Sequence, residues 1–160
     1  MNQSTATTLV RAGLLTALVD GLFSSVLSAF FYGSTVARLW QGVASVPFGP
    51  KALEGGSTYV AIGLLMHLCV AFTWSMVFLA VTLAVPAVRR IIATPGGLLA
   101  VAAVYGPLIW CAMSLFVIPT FTHRPPTINY RWWVQFFGHM VFVALPIVTM
   151  VSRGVARQDG

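Results

Sequence analysis

The chain has 160 residues, of which 58% are hydrophobic and 8% are charged, and its mean hydropathy is +0.89. Soluble domains carry about 25% charged residues, so this composition excludes a soluble globular protein and indicates one that is solvated by lipid. The net charge is +6, but the basic residues lie in predicted loops and ends, not in a stripe on a soluble face, which argues against nucleic acid as a partner. The lipid bilayer is the expected partner.

Four apolar runs are each long enough to cross a bilayer, which requires about 20 apolar residues per helix. Stretches with turn-forming Gly and Pro residues separate these runs. The sequence therefore predicts an all-α fold, a single domain over residues 1–160 that is an integral membrane bundle of four transmembrane helices. The predicted spans cover about residues 9–31, 57–85, 95–118 and 132–151.

The first span contains a carboxyl group, Asp20, near its midpoint. An ionised Asp at the centre of a transmembrane helix costs about 2.5–3.5 kcal/mol, so it is expected to meet a partner, face a cavity or stay protonated. Gly21 follows it and belongs to a small, hydroxyl-bearing face suited to close helix contact. Asp20 is either a hydrogen-bonded staple between helices or a functional group. The other members of this face are Ser24, Ser25 and Ser28.

The loop after the first span is long and partly apolar. Its residues 36–45, VARLWQGVAS, predict a short helix that Pro47 ends. A helix lying flat in the membrane interface is one interpretation, and a re-entrant cap over the bundle is the other. Tyr32 and Trp40 are expected to anchor this loop at the interface.

The second span offers a partner for Asp20. His67 lies about ten residues from the outer end of its helix and Asp20 about ten from the inner end of its own, so the two reach similar depth at 1.5 Å per residue. An imidazole and a carboxyl group can satisfy each other and exchange a proton near neutral pH. Gly63, one turn before His67, provides a place where another backbone can approach.

The third span is expected to pack closely and to bend. Small residues, Gly106 among them, recur along it at helical spacing and predict a packing face. Pro107 removes one backbone hydrogen bond in the middle of the membrane, which predicts a kink.

The fourth span brings a second intramembrane histidine, His139, seven residues before Pro146, where another kink is expected. Two histidines on different helices raise the question of a b-type haem held between His67 and His139. Their expected depths differ by about one turn of helix, so haem is the least favoured alternative. The sequence contains no metal-ligand spacing, and neither a metal ion nor another cofactor is expected.

The basic residues also indicate an orientation. With four spans, both termini and the middle loop lie on one side, which holds five basic residues, including Arg89 and Arg90, against four on the other side. The positive-inside rule therefore predicts that both termini are cytoplasmic.

Several segments together carry a resemblance: the Asp-Gly of span one, the loop RLWQGVAS, the stretch GPKALEGGSTYVAIGLLMHL, the span GGLLAVAAVYGPLIWCAM and the segment FGHMVFVALPI. In these segments, from about residue 10 to residue 153, the chain resembles small four-helix bacterial inner-membrane proteins of the YagU-like type. The resemblance implies a location in the bacterial inner membrane and no known reaction. The matching positions are Asp20, Gly21, Gly55, Gly56, His67, Pro119, His139 and Pro146.

Three functions compete. The chain has no Walker loop, G-x-S-x-G or H-E-x-x-H motif and only three acidic residues, so neither an enzyme nor catalytic residues are expected. Short loops and small-residue faces favour an accessory or structural subunit of a larger membrane assembly. The alternative is a small transporter, channel or proton-handling protein that uses Asp20 and His67 and forms a homo-oligomer, because four helices rarely enclose a path alone. A haem protein ranks third.

Overall fold

A computed structural model describes residues 3–159 of the chain. Within that range every regular element is helical and no strand is present, as the sequence predicts. The chain is an integral membrane bundle of four helices that are long and apolar enough to cross a membrane. These helices are span 1 (Ser4–Phe31), span 2 (Gly56–Ala84), span 3 (Pro95–Thr122) and span 4 (Tyr130–Arg157).

The helices extend beyond the apolar runs of the sequence. Span 1 begins at Ser4, where residue 9 was predicted, and span 4 continues to Arg157, past the predicted residue 151. Hydropathy marks only the part that lipid requires to be apolar, whereas backbone hydrogen bonding continues into polar residues at the ends. The side chains of Thr94 and Asn129 accept hydrogen bonds from the first backbone N–H groups of spans 3 and 4, which fixes where these helices start.

Short helices occupy the connections. The loop between spans 1 and 2 folds into the cap helix, Val36–Phe48, followed by a 3₁₀ turn. Thr35 accepts a hydrogen bond from the first turn of the cap helix, and Gly49 ends it with a positive φ of 73°, a conformation that glycine tolerates. The predicted end before Pro47 is wrong, because Pro47 lies in the last turn and Gly49 provides the stop. The 3₁₀ turn is Pro50–Leu53, and the basic loop forms a helix at Pro86–Ile92.

The cap helix packs mainly against span 2 and also touches the end of span 3. It thus covers one end of the bundle, and the short helix predicted for this loop is confirmed. Trp40 is only 5% exposed, so its expected role as an interfacial anchor is wrong. The reason is Gly63 of span 2, which lets the backbone of the cap helix approach closely enough to bury the indole.

Three of the four spans contain a segment of π-helix. Pro107 lies five residues before the segment of span 3, and Pro146 lies two residues after that of span 4. Proline cannot donate to the carbonyl group four residues back, and a π-bulge is one way in which a helix absorbs such a change. The kinks expected at the two prolines stay predictions. The π segments are Leu27–Phe31, Ala112–Val117 and His139–Ala144, and the α-helical parts of these spans are Gln3–Val26, Pro95–Cys111, Ile118–Thr122, Tyr130–Gly138 and Leu145–Asp159.

The bundle is filled most tightly at the end that holds the termini. Span 1 packs on spans 2 and 4, and span 4 also packs on span 3. Ile147, Val148 and Val151 are fully buried there. Spans 2 and 3 meet through Tyr105, whose hydroxyl donates to the carbonyl oxygen of Trp74 at 2.7 Å. Toward the cap helix, the space between the spans widens into a cavity.

At two glycines, a side chain would block a backbone contact that a span makes with the cap helix or with another span. A Cβ on Gly63 would overlap the carbonyl group of Trp40, and a Cβ on Gly106 would overlap the backbone of His139. A Cβ on Gly21 would instead reach ordinary contact, 3.5 Å from the Nε2 atom of His67. Close packing therefore requires glycine at Gly63 and Gly106 but not at Gly21.

We expect Gly63→Ala to lower the free energy of unfolding by about 1–3 kcal/mol, because the added methyl group must push the cap helix away from span 2. Thermal unfolding in a mild detergent, followed by circular dichroism, measures this effect. Gly42→Ala is the matched control, because a Cβ at Gly42 meets open space and Ala favours a helix by about 1 kcal/mol over Gly. Equal unfolding midpoints for the two variants would contradict the close contact.

Candidate functional site

A cavity of about 660 Å³ lies between the spans at the end that the cap helix covers. All four spans and the cap helix contribute to its wall. Such a volume is typical of pockets that hold small molecules. Most of the lining is apolar, with a few polar side chains at distinct positions. The polar side chains are Thr16, Asp20, Ser24, Ser28, Tyr32, Ser34, Arg38, His67, Arg131, Gln135 and His139.

Span 1 supplies a polar stripe along the cavity. Thr16, Asp20, Ser24 and Ser28 follow one another at intervals of four residues, which places them on one face of the helix. The hydroxyl of Ser28 donates to the carbonyl oxygen of Thr35 at 3.0 Å and so ties the end of span 1 to the start of the cap helix. Sequence reasoning noted the serines but missed Thr16, although the four-residue spacing was the signal for it.

The structure brings Asp20 and His67 together inside this cavity. The Oδ2 atom of Asp20 lies 3.9 Å from the Nδ1 atom of His67, which is an ion-pair distance but too long for a direct hydrogen bond. The Nε2 atom of His67 lies 3.0 Å from the carbonyl oxygen of Ala17. Since a carbonyl oxygen only accepts, Nε2 carries a proton, and a neutral His67 turns the lone pair of Nδ1 toward Asp20.

Four buried polar atoms in the wall of the cavity have no hydrogen-bond partner among residues 3–159. A buried polar atom without a partner costs about 1–3 kcal/mol, so native proteins seldom leave one unpaired. Several of them around one cavity therefore form a set of groups that a bound molecule can satisfy. They are Asp20 Oδ1, Thr16 Oγ1, Trp110 Nε1 and Tyr32 Oη.

The cap helix holds His67 in place through Trp40. The centroids of the indole and imidazole rings are 5.1 Å apart. His67 thus lies between the Trp40 ring and the backbone of span 1, where it donates to Ala17. Sequence reasoning missed this contact, because Trp40 is separated from His67 by the whole loop.

His139 lines the same cavity from span 4 and is 9% exposed. Its Nδ1 atom donates to the carbonyl oxygen of Gln135 at 2.7 Å, and its ring packs on Trp110 with centroids 4.9 Å apart. A haem held by the two histidines would require His67 to give up its hydrogen bond to Ala17. Among the described residues, no three His, Cys, Asp or Glu side chains come together as metal ligands.

Tyr32, Arg38 and Arg131 line the cavity at its cap-helix end, which we call its mouth because both arginines are exposed there. The guanidinium group of Arg131 stacks on the Tyr32 ring, 4.5 Å from its centroid. Arg38 donates to the carbonyl oxygen of Leu53 at 2.7 Å. Burial raises the pKa of the Tyr32 hydroxyl, Tyr130 adds to the rise and Arg131 opposes it, so Tyr32 is a neutral hydrogen-bond donor at neutral pH. Sequence reasoning treated these arginines only as loop charges.

The comparisons with known proteins add no relative to this description. The chain matches no model of a protein family, no curated protein and no solved structure.

Proposed function

We propose that this membrane protein binds a small, largely apolar molecule in the cavity between its spans, with Asp20 as the polar anchor. The observation that carries the proposal is that Asp20 lines the cavity and that its buried Oδ1 atom has no hydrogen-bond partner in the described part of the protein. A carboxyl group in this position accepts a hydrogen bond from a hydroxyl, amide or amine of the ligand. Such a role belongs to the transport or ligand-binding class.

The membrane setting supports this role of Asp20. Lipid tails solvate an apolar molecule as well as the apolar wall of the cavity does, so apolar contact gives a ligand little reason to leave the bilayer. Polar groups inside the cavity favour binding over the bilayer, because the bilayer core offers the polar groups of a ligand no hydrogen-bond partner. The carboxyl group of Asp20 and the neighbouring donors are therefore the basis of selectivity.

The shape of the cavity indicates the route of entry. Ile147, Val148 and Val151 close the bundle at the end that holds the termini. Arg38 and Arg131, both exposed, stand at the other end. A ligand therefore enters from the cap-helix end or from the lipid beside it. Transfer to the other side of the membrane needs a second conformation or a homo-oligomer, because four helices rarely enclose a path alone.

This proposal reverses the order reached from sequence, where an accessory subunit of a larger membrane complex ranked first. Packing faces and short loops support that role as much as before, but they account for none of the unpaired polar atoms in the cavity. The haem alternative falls behind because of the hydrogen bond between His67 and Ala17. We place the protein in the bacterial inner membrane with both termini in the cytoplasm, on the basis of the resemblance and of the basic loop residues.

We expect the protein, extracted gently from its own membrane, to carry a small molecule, and Ser24→Phe to lower its occupancy. Ser24 lines the cavity, and overpacking of about 1–3 kcal/mol lowers the affinity at least about fivefold. Native mass spectrometry measures the bound mass. Ser25→Phe is the matched control, because Ser25 carries the same change on the same helix but does not line the cavity. Equal occupancy in both variants, or no bound mass in the wild type, would count against the proposal.

Asp20→Asn separates an anchor for a ligand from a staple between helices. The amide has the same shape but carries no negative charge and cannot exchange a proton with His67. We expect the free energy of unfolding to change by less than about 0.5 kcal/mol, since the 3.9 Å contact with His67 is too long for a hydrogen bond, while binding of the molecule becomes weaker, because an amide oxygen accepts a weaker hydrogen bond than a carboxylate does. A staple would instead lose about 1–3 kcal/mol of stability and leave binding unchanged. Thermal unfolding and native mass spectrometry of the same samples distinguish these outcomes.

A further inference from the structure

The mouth of the cavity concentrates positive charge without a compensating carboxylate. Arg38 comes from the cap helix and Arg131 from the start of span 4, and both line the cavity. Neither forms an ion pair with the described carboxyl groups of Asp20 and Glu54. An arginine is charged at any physiological pH, so two unpaired guanidinium groups at one opening attract an anion.

Protein contacts hold both guanidinium groups in place but use only part of their donors. Arg131 donates to the Tyr130 hydroxyl at 2.9 Å and to the carbonyl oxygen of Tyr32 at 3.4 Å. Arg38 uses one nitrogen for the carbonyl oxygen of Leu53. A guanidinium group has five N–H donors, so each arginine keeps donors for a carboxylate or phosphate. The buried Tyr32 hydroxyl, unpaired within residues 3–159, adds a neutral donor beside Arg131.

The remainder of the cavity extends along span 1. On span 1 its lining runs from Thr16 to Tyr32, a distance of about 24 Å at 1.5 Å per residue. A volume of about 660 Å³ over that length accommodates an extended chain. Below the mouth, apolar side chains such as Val70, Met113 and Val117 form much of the wall.

We propose that the ligand is a single-chain amphiphile with an anionic head, either a carboxylate or a phosphate ester. Its head binds to Arg38 and Arg131 at the mouth, and its chain extends into the cavity, where a hydroxyl or amide group on the chain donates a hydrogen bond to Asp20. This inference rests on the proposed binding function and adds the class of ligand. Head and chain have separate physical roles, since charge-assisted hydrogen bonds select the head, while the chain fits the apolar wall and brings its polar group to Asp20.

Brominated probes test the head directly, because bromine quenches the fluorescence of nearby tryptophans. Of the five tryptophans in the chain, Trp40, Trp74 and Trp110 line the cavity. The probes are 11-bromoundecanoate, 11-bromoundecyl phosphate and the neutral 11-bromoundecanol, titrated at pH 8 into the full-length protein in uncharged maltoside micelles. Each affinity is expressed relative to the mole fraction of the probe in the micelle, so that differences in how the probes partition between water and micelle do not affect the comparison. The carboxylate and phosphate arms distinguish the two sources of an anionic head.

We expect at least one anionic probe to bind about tenfold or more tightly than the alcohol, since charge-assisted hydrogen bonds are worth about 1.5–3 kcal/mol. The double variant Arg38→Gln/Arg131→Gln binds the two anionic probes and the alcohol with equal affinity. The double variant Arg38→Lys/Arg131→Lys retains the preference for the anionic probes. Lys51→Gln is the control, because it removes one charge from the same end of the molecule but lines neither the cavity nor the neighbouring recess of about 490 Å³ that shares Tyr32 and Arg131 with it. The control keeps the wild-type preference.

Two results would overturn the inference while leaving the binding function in place. One is equal binding of anionic and neutral probes to the wild type, and the other is an anion preference that survives in the double glutamine variant. A third result removes both proposals, namely quenching that does not saturate for any probe and that Ser24→Phe leaves unchanged.

Discussion

The close approach of the cap helix to span 2 is the contact on which the site depends. At Gly63, span 2 has no side chain, so the backbone carbonyl group of Trp40 lies directly against the helix. That contact buries the Trp40 indole and sets it against the ring of His67. The same placement brings Arg38 to the mouth of the cavity. One small residue in a transmembrane helix thus determines both the orientation of the intramembrane histidine and the charge at the opening.

The spans could be predicted from hydropathy because the bilayer imposes a length and a composition on any segment that crosses it. The packing of the cap helix could not. Residues 36–45 combine apolar, basic and aromatic side chains, a pattern that suits a helix lying on lipid as well as one lying on protein. Gly63 was identified in the sequence as a place of close approach, but nothing in a single sequence says which backbone approaches it. The partner turned out to be a loop segment, not another span.

The ionisable residues of the site could be predicted from the sequence, whereas the other residues that line the cavity could not. Asp20 and His67 stand out because ionisable residues are rare within transmembrane helices, and their depth along two antiparallel spans follows from the helix rise. Trp110 and Gln135, which also line the cavity, are ordinary residues of spans 3 and 4, and their role arises only from the way these spans pack. Thr16 was detectable in principle, since it continues a four-residue polar spacing on span 1.

The geometry of Asp20 and His67 also limits the charge that the bilayer interior must hold. Because Nε2 of His67 donates to the carbonyl oxygen of Ala17, only one further proton can lie between Nδ1 and the Asp20 carboxyl group. With that proton on either residue, the pair has no net charge, which costs far less in a medium of low dielectric constant than an isolated carboxylate does. A ligand group that donates a hydrogen bond to the Oδ1 atom of Asp20 favours the arrangement with an ionised Asp20 and a protonated His67. Without such a group, the arrangement in which both side chains are neutral is favoured. Because the 3.9 Å between the Oδ2 atom of Asp20 and the Nδ1 atom of His67 is too long for a hydrogen bond, a proton passes between the two side chains only if they approach each other, and either arrangement leaves the number of protons on the pair unchanged.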